Sequence, residues 1–324
     1  MRLARIACAV FVAVPMLGAA GCGLHGWSAE REQGGVAADS LRLAPVVGAF
    51  RLDESSGAAV SVQYPGVIYT FNDSGNDPVL YAFDTTGVAR GRWVVRKTDN
   101  FDWEAAAVGR CAGTRVVAPS CIYLGDVGDN DLDRPVVRVY RTPEPTLLAA
   151  GGVAERFADS LLVRYEDGPH NVEAMYVAPD GAIMLLTKER MRNAVGEVRP
   201  TLLYRIDPAA WDSEEVSEAK LFDSLPIVPR ATSGRQVTDA SLAIDARTLA
   251  VRTYTGVYLF AVDPATGRPR RDVAHTICDV RALGEPQGEG VGIVGRRGER
   301  ARLVLTSERK GEPLRLVTCP APSR

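Results

Sequence analysis

Five segments of the chain begin with an acidic or hydroxyl residue, continue with small residues and run into an apolar stretch. The first residues of these segments, here called the lead residues, are Ser56, Glu104, Glu173, Asp239 and Glu289. If the segments are equivalent units around one axis, four carboxylates meet there and need a compensating cation. Ca²⁺ is a hard ion that takes about 6–8 oxygen ligands. The sequence therefore predicts a calcium site. The alternative is that each carboxylate accepts backbone N–H hydrogen bonds from the neighbouring unit.

Two further sets of polar residues are expected at the same end of the axis. One set lies two positions before the lead residues, because alternate residues of a strand share a face. The other set follows the second strand of each unit. Together they predict a ligand-binding mouth formed by Glu54, Asn72, Asp73, Asp102, Asp126, Asn171, Lys188, Arg252 and Glu308. The sequence contains no nucleophile elbow, phosphate-binding loop or dinucleotide fingerprint, so no catalytic residue is assigned.

The elements that must position these side chains are β-strands. Apolar runs rich in β-branched and aromatic residues follow each lead residue in sets of about four, separated by turn sequences. This repetition predicts an all-β chain folded as a five-bladed β-propeller, with six blades as the alternative if the longer 104–173 or 173–239 interval hides another unit. The last set is one strand short. Residues 46–51 supply an unassigned strand that would close the ring and remove two open edges.

The N-terminal residues have the features of an export signal. Arg2 and Arg5 precede an apolar stretch, and the sequence Ala19-Ala20-Gly21-Cys22 follows it. The last four residues resemble the lipobox of bacterial lipoproteins. This resemblance implies that Cys22 is acylated and that the protein is anchored at the outer face of the cell membrane; without acylation the protein would be secreted. We expect a signal peptide over 1–21, a flexible tether over 22–44 and the propeller domain over 45–324.

Four of the six cysteines remain for the folded domain once Cys8 and Cys22 are set aside, and they allow three pairings. We favour Cys111–Cys121, which closes a short loop between adjacent strands, and Cys278–Cys319, which ties the last two units together. Disulfides agree with export to an oxidising compartment. The net charge of −2, with both signs mixed along the chain, does not have the basic footprint of a nucleic-acid-binding protein.

The repeats resemble those of the five-bladed calcium-activated nucleotidase (apyrase) family. That resemblance implies a central Ca²⁺ held by one residue from each blade, which here are the five lead residues. The segments Asn72-Asp73-Ser74-Gly75, Asp102-Trp103-Glu104 and 125–130 also resemble exported bacterial propeller lipoproteins without an assigned activity.

From both resemblances we expect a calcium-holding module that binds a small-molecule or protein ligand at its mouth, or serves as a scaffold. The alternatives are a calcium-dependent hydrolase of phosphate esters or anhydrides and a lactonase-like hydrolase.

Overall fold

A computed structural model describes residues 52–192 and 195–323, together with two short strands, β1 (Val36–Ala38) and β2 (Arg42–Ala44). The predicted signal peptide, the lipidation site Cys22 and the predicted closing strand at 46–51 lie outside the described residues. Within the described part of the chain, no helix has the length and apolar character needed to cross a membrane.

The described residues fold into antiparallel units of four strands each. The first unit contains β3 (Ser55–Val60), β4 (Val67–Asn72), β5 (Val79–Asp84) and β6 (Ala89–Arg96). The second contains β7 (Trp103–Gly109), β8 (Cys121–Asp126), β9 (Val137–Pro143) and, after the separate strand β10 (Val153–Phe157), β11 (Asp159–Tyr165). The third contains β12 (Val172–Val177), β13 (Ile183–Thr187), β14 (Leu202–Ile206) and β15 (Ser217–Ser224).

Two more units complete the described chain. The fourth contains β16 (Val237–Leu242), β17 (Thr248–Thr253), β18 (Gly256–Ala261) and β19 (Thr276–Asp279). The fifth contains β20 (Gly288–Arg297), β21 (Arg300–Ser307) and β22 (Arg315–Pro320), and β2 supplies its fourth strand. Short 3₁₀ helices occupy the connections at Pro208–Asp212, Ala231–Ser233 and Arg281–Leu283. The fold is therefore all-β, as predicted.

The closing strand comes from the N-terminal side of the chain, but from a different segment than the sequence suggested. β2 pairs antiparallel with β22, with Arg42 opposite Thr318, whereas the predicted segment at 46–51 lies outside the described residues. β1 adds to the fourth unit by pairing parallel with β19. Both short strands fall within 22–44, the segment predicted as a tether.

Parallel pairs also cover the outer strands of the first three units. β10 leaves the second unit and pairs with β6 of the first, and β11 pairs with β15, so that the second and third units share one eight-stranded sheet. Covering an outer strand in this way hides backbone groups that would otherwise template aggregation.

The first strand of each unit contacts the first strand of the next in a closed cycle. β3 contacts β7, β7 contacts β12, β12 contacts β16, β16 contacts β20 and β20 contacts β3. These five inner strands are rich in small residues because they crowd around one axis. At Gly290, for example, an added Cβ would lie 2.9 Å from the backbone nitrogen of Ala58. The arrangement is propeller-like.

The apolar core is divided among the contacts between neighbouring units. One cluster lies between each pair, including the pair formed by the fifth and first units, where Val304 and Leu316 pack with Ile68 and Phe83. Each sheet therefore buries both faces against its neighbours, and the cycle of units is closed by packing as well as by strand pairing.

Both predicted disulfides are confirmed. Cys111–Cys121 follows the end of β7 and begins β8, and Cys278–Cys319 joins β19 of the fourth unit to β22 of the fifth.

Candidate metal centre

Each inner strand begins with a β-bulge, and in three units the lead residue is the extra residue. In the second unit Trp103 pairs with Asp126 and Ala105 pairs with Gly125, which leaves Glu104 unpaired between them. Ser56 and Glu173 take the same place in the first and third units. In the fifth unit the register shifts between Gly288 and Val291, a stretch that contains Glu289. A bulge re-aims the side chain of its extra residue, here toward one end of the inner strands, which we call the acidic end.

In the fourth unit the lead position lies one residue before the predicted Asp239. Val237 pairs with Thr253 and Asp239 pairs with Arg252, so the extra residue is Thr238 and not Asp239. A shift of one residue along a strand sends the side chain to the opposite face. Thr238 therefore takes the lead position, its hydroxyl donating to the backbone oxygen of Glu289 at 2.9 Å. The polar residue two positions before it is Gln236.

Asp239 is a structural residue at the axis. One carboxylate oxygen accepts hydrogen bonds from the backbone N–H groups of Ala58, at 3.0 Å, and Val291, at 2.7 Å. The other accepts the N–H of Ala240 at 2.8 Å. Burial raises the pKa of Asp239 well above its usual range, against the effect of these donors. Asp239 therefore has the structural role given as the alternative for the acidic residues, which is to accept backbone N–H hydrogen bonds from neighbouring units.

Three carboxylates converge between the first and second units. One oxygen each from Asp73, Asp102 and Glu104 lies within 4.8 Å of the other two. Asp73 follows β4, whereas Asp102 and Glu104 flank the start of β7. The hydroxyl of Ser56 donates to Oε2 of Glu104 at 2.9 Å. Oxygens at this spacing form the kind of donor set that a hard divalent cation prefers.

Gly128 makes room for two of these carboxylates. A Cβ at this position would lie 2.2 Å from Oδ2 of Asp102 and 2.8 Å from Cγ of Glu104. The backbone N–H of Gly128 also donates to the backbone oxygen of Asp102 at 3.3 Å. The loop after β8 therefore packs directly against the donor set.

The positively charged Lys188 lies near the two acidic lead residues of the third and fifth units, Glu173 and Glu289. Its Nζ lies 2.8 Å from Oε1 of Glu173. Burial alone would lower the pKa of Lys188, but Glu173, Tyr254 and Glu289 together raise it. Oε2 of Glu289 is buried and has no hydrogen-bond partner, whereas Oε1 accepts from Gln287 at 2.9 Å. Lys188 thus forms an ion pair with Glu173, whereas its charge acts on Glu104 without a hydrogen bond, and no described lysine or arginine forms an ion pair with Glu104.

The pKa values at the acidic end reflect burial among like charges. Burial, followed by the charge of Glu173, raises the pKa of Glu104 well above its usual range. Burial, followed by the charge of Asp73, raises the pKa of Asp102 to about 6 and that of Glu308 to about 7. Each shift means that the folded protein resists these negative charges unless a cation arrives.

Two residues predicted to contact a ligand are instead buried and form hydrogen bonds within the protein. Arg252 is fully buried and donates to the backbone oxygens of Gly290 and Thr306 and to Glu285. Asp126 is 2% exposed, and its Oδ1 accepts from Arg134 at 2.7 Å. Their positions at the ends of second strands are as expected, but both side chains turn into the protein.

The other predicted mouth residues lie around the acidic end. Glu54 is exposed and accepts the amide of Asn76 at 2.8 Å, and the half-buried Asn72 accepts the N–H of Glu54 at 3.4 Å. Asn171 is buried, donates to Glu173 at 3.3 Å and accepts the N–H of Asp129 at 2.9 Å. The half-buried Glu308 forms a backbone bridge with Glu54.

Sequence reasoning missed three further residues near this end. The guanidinium of Arg134 lies 4.7 Å from the ring centre of Phe101, which is 67% exposed, and Lys188 lies 5.5 Å from that of Tyr254. Phe101 directly precedes Asp102, and Tyr254 follows β17. Their closeness in sequence to predicted mouth residues is the one feature that could have identified them. Aromatic faces and cations thus border the carboxylates.

No protein-family model matches the sequence, and a search of the curated proteins gives no match. Among solved structures, the chain is similar to the PQQ-bound aldose sugar dehydrogenase of Streptomyces coelicolor, with 12% identity over 87% of this chain and 98% of that one and a TM-score of 0.46. It is also similar to the PQQ domain of pyranose dehydrogenase from Coprinopsis cinerea, with 11% identity over 87% and 96% and a TM-score of 0.47. The Malassezia sympodialis allergen Mala s 1 gives 10% identity over 85% and 95% and a TM-score of 0.45. The activities in these names belong to those proteins.

Proposed function

We propose that the protein is a five-bladed propeller that binds Ca²⁺ at its acidic end and uses the bound ion to recognise an oxygen-rich ligand. The observation that carries the proposal is the convergence of Asp73, Asp102 and Glu104 within 4.8 Å. The five sheet units, their cyclic contacts and their five core clusters support the blade count.

The charges favour a cation between the first two blades over a symmetric ring. Lys188 already pairs with Glu173, and Arg134 pairs with Asp126. The donor set of Asp73, Asp102 and Glu104 has no comparable basic partner among the described residues, so its negative charge is left for a metal. We therefore replace the five-residue calcium ring with this three-carboxylate set.

An ion held in this way keeps positions free for a ligand. Ca²⁺ takes about 6–8 oxygens, and Ser56 already occupies Oε2 of Glu104. Three carboxylates therefore leave coordination positions for water or for oxygens of a bound molecule. Lys188, Arg134 and the rings of Phe101 and Tyr254 border the same end, and they suit a polar molecule with a flat or anionic part.

Calcium titration of metal-free protein tests the site. We expect one Ca²⁺ per chain by calorimetry after chelator treatment. Asp102→Asn and Glu104→Gln should each weaken binding by tenfold or more, about 1.4 kcal/mol. Asp131→Asn and Glu214→Gln remove exposed charges of the same types and should leave the affinity within about twofold. Equal losses in all four variants, or no calcium binding by the parent protein, would rule the site out.

A calcium-dependent hydrolase is the second candidate, and Glu308 is the observation that favours it. Burial, followed by the charge of Asp73, raises the pKa of this carboxyl to about 7, and a group that titrates near neutrality suits proton transfer. Release of phosphate from nucleotides or phosphate esters that requires Ca²⁺ and is lost in Glu308→Gln would establish the hydrolase. Calcium binding without turnover would leave the binding module.

We also propose that the protein acts outside the cytosol, anchored to the outer face of the membrane through Cys22. The two disulfides support an oxidising compartment. Radiolabelled palmitate incorporation into the parent protein, absent in Cys22→Ala, is the measurement that tests the anchor.

A further inference from the structure

The end of the inner strands opposite the acidic end holds a cavity of about 300 Å³. Its walls come from the second halves of β3, β7, β12 and β16, and they carry small side chains such as Ala59, Ala107 and Ala240. Pockets for small molecules have volumes of about 300–1,000 Å³, so this cavity is large enough for a compact ligand.

The rim of the cavity is apolar and open to solvent. Val62 is 41% exposed and Ile244 is 63% exposed, and both line the cavity together with the half-buried Leu242. Apolar side chains that gather around a concave surface mark a binding site more often than scattered ones do. The occupant should therefore be largely hydrocarbon.

Arg110 gives the cavity its one charge among the described residues that line it. No described carboxylate pairs with its exposed guanidinium, since nearby Asp180 pairs with Arg205 at 2.9 Å. The backbone at this point is held firmly, because Tyr123 donates to the backbone oxygen of Arg110 at 2.8 Å and the Cys111–Cys121 disulfide follows directly. A guanidinium that extends from this anchored backbone at the mouth of an apolar cavity favours an anionic end group.

We propose that this cavity binds a small amphiphilic anion, with its hydrocarbon chain against the alanine walls and its carboxylate at Arg110. A volume of about 300 Å³ equals roughly ten water-sized groups, which corresponds to a fatty acid of about eight carbons. The proposal does not depend on the metal site at the other end of the strands.

Calorimetric titration of the purified protein with octanoate, octanol and octylammonium tests the charge preference. We expect octanoate to bind most tightly and octylammonium to bind at least about tenfold more weakly, because one charge-assisted hydrogen bond changes affinity by about that factor. Binding of octylammonium as tightly as octanoate would overturn the role of Arg110.

Three variants locate the ligand. Arg110→Gln should weaken octanoate binding about tenfold and leave octanol binding unchanged. Ala243→Phe should fill the cavity and weaken both ligands. Arg302→Gln removes an exposed arginine on β21 and serves as the matched control. Circular dichroism verifies folding of each variant, and Arg110→Gln, being at an exposed position, keeps the test decisive if Ala243→Phe does not fold.

Several results would overturn the proposal. The first is the absence of octanoate binding by the parent protein, and the second is equal octanoate binding by all variants. The third is a folded Ala243→Phe protein that binds octanoate as tightly as the parent protein does. Binding to phosphatidylglycerol vesicles that depends on Val62 and Ile244, without binding of free octanoate, would assign this end to a membrane surface instead.

Discussion

At the scale of single residues, Lys188 sets the charge balance of the acidic end, on which the proposed metal site depends. Its ammonium group neutralises Glu173 and lies within electrostatic reach of Glu289. The three acidic lead residues Glu104, Glu173 and Glu289 would otherwise repel one another in a partly dehydrated space. Because the ion pair of this lysine is with Glu173, the carboxylates of Asp73, Asp102 and Glu104 form a cluster without an ion pair among the described residues.

The raised pKa values of Asp102 and Glu308 lead to a pH prediction. Both pKa values are higher in the folded protein, about 6 and 7, than in an unfolded chain, so folding is favoured while these groups hold protons. In chelator, the free energy of unfolding should therefore fall as the pH rises from about 5 to about 8. His170, whose pKa is raised by Glu189 and Asp167 against the effect of burial, acts in the same direction.

Urea denaturation at the two pH values, with and without Ca²⁺, measures this effect. At the proposed site calcium and protons compete for the same carboxylates, so saturating calcium should stabilise the protein more at about pH 8 than at about pH 5. A larger calcium effect at the lower pH would contradict this account.

At the scale of elements, the loop after β8 controls the donor set through Gly128. Gly128→Ala should displace the carboxylate of Asp102, since the new Cβ would lie 2.2 Å from Oδ2. We expect calcium affinity to fall by tenfold or more, about 1.4 kcal/mol, measured by calorimetry. Gly256→Ala is the matched control because its Cβ would meet only ordinary contacts at 3.6 Å or more. A Gly128→Ala protein with unchanged affinity would show that the loop does not shape the site.

The bulge in β16 leads to a different expectation for Asp239. Asp239→Ala removes the acceptor shared by the N–H groups of Ala58 and Val291, and each orphaned buried donor costs about 1–3 kcal/mol. The free energy of unfolding should therefore drop, while calcium affinity at the acidic end should change little. Loss of calcium binding with unchanged stability would restore Asp239 to the metal site.

The fourth unit explains what sequence could and could not predict about the site. Glu104 and Glu173 each precede an alanine directly. The same acid-alanine pattern at Asp239-Ala240 predicts Asp239 as the lead residue, one position after the residue that holds this place. Thr238 has no carboxylate to mark it, and only the strand pairing reveals the bulge. Likewise, Arg252 sits where predicted, but the space left by Gly288, whose Cβ would lie 2.0 Å from the guanidinium, lets it turn inward. Side-chain direction at a bulge depends on such tertiary contacts.

At the scale of the whole molecule, the repeated strand pattern was sufficient to predict the all-β class and the need for a closing N-terminal strand. The pattern could not identify that strand, because a three-residue strand such as β2 has too few residues to show an alternation. It also could not predict that β10 would leave the second unit for the first, since a parallel edge pairing has no local signature.

The two disulfides should contribute unequally to stability. In the chain-entropy account, stabilisation grows with the loop that is closed, and the separations are 41 residues for Cys278–Cys319 and 10 for Cys111–Cys121. Replacing the first pair with serines should lower the free energy of unfolding by about 1 kcal/mol more than replacing the second. Urea melts of the two double variants measure this, and the reverse order would show that the longer loop is already restrained in the unfolded chain.

The hydrogen bonds of Asp239 have a consequence for the coupling between the two ends of the inner strands. This fully buried carboxylate joins β16 to both β3 and β20 across the axis, and so it ties together three of the five inner strands. A molecule bound at one end of the inner strands would therefore act on the other end through the strands that Asp239 holds together.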